Sequence, residues 1–138
     1  LEPHAAALAA ARIDAATLEE LSGVLDEIEA SDDFEDHSRL DHAFHMTISE
    51  VAGNDALTSL IDVLRSRSRA YRIPDAGDAA ELKLHSDAGH RAILRGLAAA
   101  DPVAASAAAS AHVAQTEYWV RRYTETDIVA EGSAVEPD

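Results

Sequence analysis

Cysteine is absent from the chain. That excludes a disulfide framework and thiolate metal sites, and leaves imidazole and carboxylate as the ligands a metal would find. Aromatic residues make up only 4%, with four prolines and six glycines in 138 residues, too little β-former and turn chemistry for a β-sandwich. Basic residues are also scarce: 11 Lys and Arg stand against 26 Asp and Glu, a formal charge of −15. A chain so acidic does not by itself grip a phosphate backbone. No run approaches the roughly 18 apolar residues of a bilayer span, and no basic segment precedes an apolar signal-like stretch. The expected setting is therefore cytoplasmic, away from the membrane.

What the chain does have is alanine. Hydrophobic residues reach 47%, and Ala supplies much of that share, which favours closely packed helices over a sheet. Capping and breaker residues divide the chain into about six helices. The first is EPHAAALAAARI, with Pro3 suited to a first turn. The second is entered through Asp14 or Thr17, Thr17 with Glu20 matching a capping box, and its Leu18, Leu21, Leu25 and Ile28 keep helical spacing. The third ends at Gly53 and Asn54 caps the fourth. IPDAGDAA reads as a loop, Ala79 to Ala100 as the fifth helix, and Asp101-Pro102 as the start of a sixth. Residues 1–125 read as one all-α domain, an antiparallel helical bundle, and 126–138 as a disordered acidic tail. Because the chain starts with Leu1 inside a helical pattern, it is expected to be part of a longer protein.

Polar residues interrupt three of the apolar stripes. In helix three, Asp41, Phe44 with His45, Ile48 and Ala52 share one face, so Asp41 and His45 point the same way on a side that wants burial. His42 lies about 100° round the helix, at the rim. His37 is one turn before Asp41 but near the helix start. In helix five, His90 sits in the stripe Leu82, Ser86, Ile93, Leu97, and His85 faces elsewhere. In helix six, His112 sits among Ala105, Ala108, Ala109, Thr116 and Trp119. An ionised carboxylate on such a face is costly unless paired or bound to a cation. One Asp and three His suit zinc first, and also nickel, manganese or iron, better than calcium or magnesium. Each residue also has a plain reading. A single His on an apolar face is more often a hydrogen-bonded core residue than a ligand, and the four together could form a buried hydrogen-bond network.

The ordered combination of D-x-x-F-H, A-G-N, H-x-x-I-L and a final H-V, after LEPHAAALAAARIDAATLEEL, resembles the FCD domain, the C-terminal effector-binding domain of FadR-type regulators in the GntR superfamily. The likeness covers about residues 1–125. It implies that Asp41, His45, His90 and His112 coordinate a divalent ion in the middle of the bundle. It also implies a small organic-acid effector, whose carboxylate takes the open metal positions, and a homodimer. DNA would be bound only through an N-terminal winged helix-turn-helix domain, absent from this chain. A docked carboxylate usually has a second positive contact. Helix four supplies Arg65, Arg67, Arg69 and Arg72. Its apolar face reads as Leu57, Leu60, Leu64 and Tyr71, so Arg67, which continues that stripe, is the first candidate to bind the effector and Arg69 the second. The plain reading of all four is a solvated face balancing the acidic surface.

The expected function is thus the sensing domain of a metabolite-responsive transcriptional regulator, with no catalysis. The alternative is a helical metal-dependent hydrolase using the same ion to activate water. It would need a general base within reach, and no further carboxylate falls on the inner stripes; Asp87 and Glu117 are near ligands in sequence but off-face.

Overall fold

The computed structural model describes residues 1–68 and 73–132, with side chains through 124. Among these residues it is all-helical, in the order α1 (Glu2–Ala10), α2 (Ala15–Ala30), α3 (Phe34–Val51), α4 (Asp55–Ser68), α5 (Ala76–Ala98) and α6 (Pro102–Gly132). Arg69, Tyr71, Arg72 and the end of the tail from 133 lie outside the described residues.

Short acidic or amide side chains start most of the helices. Asp14, Asp33, Asn54 and Asp75 each accept a hydrogen bond from the backbone N–H three residues on, at 2.8, 2.9, 3.0 and 2.8 Å. Asp101 accepts from Val103 N and Ala104 N, both at 3.0 Å. The first of these decides between the two expected entries to α2: Asp14 is the cap, and Thr17 is its donor. Asp75 likewise draws the start of α5 back to Ala76, ahead of the expected Ala79. At the other end of the chain α6 continues as helix to Gly132, past the expected boundary at Thr126. Nothing between Val103 and Glu131 is a glycine or proline that would stop it.

Gly53 ends α3 at φ 72°, the left-handed conformation that an L side chain resists. Arg12 then donates to the Ala52 carbonyl at 2.7 Å, closing the C-terminus of α3 against the α1–α2 turn. From α5, Lys83 does the same for α2, reaching the carbonyls of Ile28 and Glu29 at 3.2 Å each.

Helix α1 is central, packed against α3, α5 and α6, while α2 lies on α3 and α5, and α4 on α3. Its Ala5, Ala6, Ala9 and Ala10 are all buried, and side chains this small let three neighbours approach closely. The main core joins Ala6, Ala9 and Ala10 to Leu21, Leu25 and Ile28 of α2, Phe44 and Ile48 of α3, Ile93 and Leu97 of α5, and Ala105 and Ala109 of α6, while Ala5 packs in a second cluster with Ala52, Leu57 and Ile61. Thus the apolar positions expected on α2, α3, α5 and α6 do face inward. On α4 the phase differs. Leu57 and Ile61 are buried, whereas Leu60 and Leu64 are 55% and 56% exposed. The inward stripe is therefore Leu57, Ile61, Arg65, and Arg67 is on the exposed side. Among the described residues no helix is long and apolar enough to cross a membrane.

Candidate metal centre

Asp41, His45, His90 and His112 meet in the interior, brought there from α3, α5 and α6, each offering a ligand atom within 4.8 Å of the other three. His45, His90 and His112 are buried, and Asp41 keeps 21% of its side chain exposed. His90 Nε2 lies 2.9 Å from Asp41 Oδ1 and 3.2 Å from His45 Nε2, and His45 Nε2 is 3.8 Å from the same Asp41 oxygen. A divalent ion with bonds of about 2.1 Å spaces its donors about 3.0 Å apart at right angles, about 3.4 Å at the tetrahedral angle and about 4.2 Å when opposite. The three separations among Asp41, His45 and His90, from 2.9 to 3.8 Å, match that spacing. Beneath it, Phe44 turns its ring edgewise to His45 and His90, with centroids 5.2 and 5.1 Å away, giving the site an apolar floor.

The other side of His45 is also occupied. Glu2 Oε2, from the first turn of α1, lies 2.9 Å from His45 Nδ1. A carboxylate this close to Nδ1 favours the tautomer with its proton there, which leaves the Nε2 lone pair for the cluster. Arg65 of α4 donates to Glu2 Oε1 at 2.8 Å and pairs with Asp41 Oδ2. Neither Glu2 nor Arg65 is expected at the site from sequence. Arg65 had a legible signal, four residues after Ile61 and eight after Leu57; Glu2 had none, since first-turn acidic residues on exposed helices are common.

Gly89 is the third residue that sequence reasoning passes over. A Cβ there would stand 2.7 Å from His112 Nδ1, so its missing side chain is what lets the His112 ring lie 4.4 Å, centroid to centroid, from that of His90.

Electrostatics follow from this burial. Desolvation pushes the Asp41 carboxyl up, but Arg65, His90 and His45 outweigh it and hold Asp41 well below its usual range. Glu2 is lowered in the same way, burial being overcome by His45 and Arg65. Burial lowers His45, with Arg65 adding to it and Glu2 opposing. Burial also lowers His112, to about 3, helped by His45 and His90. Burial thus favours neutral imidazoles at His45 and His112, beside an ionised Asp41, the protonation states that bind a transition metal. Buried nitrogens left without hydrogen-bond partners, His90 Nδ1 and His112 Nδ1, are poor evidence for a self-sufficient hydrogen-bond network. The donor set and spacing fit a divalent ion.

The remaining histidines stand apart. His37 Nε2 is 3.9 Å from Asp87 Oδ1, His42 Nε2 is 3.1 Å from Asp62 Oδ1, and His85 is exposed near Glu81. Asp87 itself is tied to Lys83 at 2.7 Å, and Glu117 to Arg121 at 2.5 Å. Beside the centre opens a cavity of about 360 Å³, bounded by Glu2, Arg65 and His112 at its inner end.

The sequence profile of the FCD domain matches residues 1–115, and the chain belongs to that family. Among solved structures, it is similar to the Streptococcus agalactiae protein named GntR, with 30% identity and a TM-score of 0.72. The match covers 89% of this chain and 54% of the other, so this chain spans about half the length of that relative. None of the curated proteins searched matches.

Proposed function

We propose that this chain is the effector-sensing domain of a GntR/FadR-type transcriptional regulator. Asp41, His45, His90 and His112 hold a divalent transition metal, zinc in the first place and nickel, manganese or iron as alternatives, and a small carboxylate effector binds on it. The observation that carries this reading is the convergence of four donor atoms from three helices on one buried point. A similar core serves as a metal site in many helical bundles. The ion would supply a Lewis-acidic docking point. The chain's own residues would do the rest: Glu2 orients His45, Arg65 neutralises Asp41 and Glu2, and Phe44 keeps water from the floor.

Effector binding would favour one arrangement of the bundle over another and, in a homodimer, change the spacing of two N-terminal DNA-binding domains; a ligand shifts such a balance only by binding one state better. The hydrolase alternative gains a carboxylate near the site in Glu2. However, Glu2 is held ionised by His45 and Arg65, and a carboxylate so stabilised is a weak proton acceptor. Elemental analysis of protein purified without tag or chelator tests the reading. Near-stoichiometric metal in the wild type, lost in His90→Ala/His112→Ala, is expected. A chain that holds no metal and takes up no added zinc, nickel or manganese would refute it.

A further inference from the structure

The cavity beside the metal centre limits what kind of acid can enter it. At about 360 Å³ it is near the lower end of the roughly 300–1,000 Å³ typical of ligand sites. Its inner end carries the charge, in Glu2, Arg65 and His112. Ile61 and Leu64 of α4 face it from one side, and Val113 and Val120 of α6 from the other. Leu64 and Val113 are both exposed, leaving apolar surface along the cavity for a ligand to cover. Glu117, also on the α6 wall, adds a negative charge.

Charge balance gives a second, independent constraint. Asp41 and Glu2 both pair with the single guanidinium of Arg65, so two carboxylates against one cation leave the centre one unit negative. A divalent ion among neutral imidazoles turns that into one unit positive, which a single carboxylate cancels. A second carboxylate on the same ligand would have to leave water along the apolar side chains of Ile61, Leu64, Val113 and Val120, beside a Glu117 already paired with Arg121.

We propose that the effector is a monocarboxylate with an apolar body, its carboxylate at the metal and Arg65 end and its hydrocarbon portion between α4 and α6, and that dicarboxylates of equal length are rejected. This rests on the metal-docked carboxylate reading above. Hexanoate and adipate separate the two ideas, because they have the same chain length and differ in one terminal carboxylate. In calorimetric titration of the zinc-loaded chain, hexanoate is expected to bind at least about tenfold more tightly than adipate. Adipate binding as tightly as hexanoate, or more so, would overturn the apolar-monocarboxylate inference and leave the docking reading standing. If hexanoate, adipate and acetate all fail to bind a chain that holds zinc stoichiometrically, the docking reading itself fails, and this inference with it.

Two wall variants locate the ligand. Val120→Asp is expected to weaken hexanoate about tenfold while zinc content stays at the wild-type value. Glu117→Gln is expected to improve adipate selectively. Hexanoate and adipate affinities unchanged in both variants would place the ligand outside this cavity and refute the inference.

Discussion

At the scale of single residues, the proposed metal centre would depend on groups outside its four candidate ligands. Glu2 is 2.9 Å from His45 Nδ1, and outer carboxylates of this kind usually contribute about 10- to 100-fold in metal affinity. Glu2→Gln should therefore weaken zinc binding about tenfold in a chelator-competition assay. It should also leave His45 in a mixture of tautomers, visible in the ring ¹⁵N shifts. Gly89→Ala tests the opposite face. With a Cβ 2.7 Å from His112 Nδ1, the ring must move, and zinc affinity should fall even though every ligand is retained. An unchanged dissociation constant would show that His112 has room to adjust. Protons compete for the same nitrogens. In the metal-free chain, burial lowers His112 to about 3 from its ordinary 6.5. The unfolded chain then takes up a proton that the folded one refuses, so stability is full above pH 6.5 and falls as the pH drops toward 3. His112 alone accounts for a loss of about 2 kcal/mol between pH 6.5 and pH 5, which urea titrations of the metal-free chain across that range would measure.

At the scale of elements, the α5–α6 turn shows where this chain departs from easy backbone choices. Ala100 adopts φ 50°, a conformation that costs an L residue about 1–2 kcal/mol. Gly96, one turn earlier, faces the backbone of α6: a Cβ there would stand 2.6 Å from Ala105 N. The two positions should thus respond oppositely. Ala100→Gly is expected to raise stability by about 0.5–1 kcal/mol, since relief of strain exceeds the entropy of the added glycine. Gly96→Ala is expected to lower it by about 2 kcal/mol, because backbone cannot give way as a flexible side chain can. Thermal unfolding of the pair checks both signs. The legibility of the sequence follows from similar contrasts. His90 and His112 stand out because each replaces an apolar residue in a stripe whose other members are plainly core, and Asp41 stands out with His45 one turn away. Helix α4 has leucines on both sides, so Leu57, Leu60, Leu64 and Leu57, Ile61 are rival stripes. Only packing against α3 selects the second, and with it Arg65 in place of Arg67. Gly89 and Glu2 are silent because what matters there is a distance across the bundle, which no local pattern encodes.

At the scale of the whole molecule, the proposed ligand set draws on most of the fold. Asp41 and His45 come from α3, His90 from α5 and His112 from α6, while Glu2 and Arg65 add α1 and α4 at one remove. Without a cation, three buried imidazoles and a half-buried carboxylate converge, and among the described residues Arg65 is the one guanidinium paired with Asp41. Folding and metal binding are then one linked equilibrium, since the unfolded chain has no preformed site. Zinc at 100 times its dissociation constant should stabilise the native state by about 2.7 kcal/mol, which for a domain of this size raises Tm by about 10 °C. The shift should grow with the logarithm of free zinc and vanish in His90→Ala/His112→Ala. Helices α1 and α4 should gain hydrogen-exchange protection along with α3, α5 and α6, because Glu2 and Arg65 are held by the same ligands. Protection confined to α3, α5 and α6 would show that the ion orders its own ligands without reaching α1 and α4.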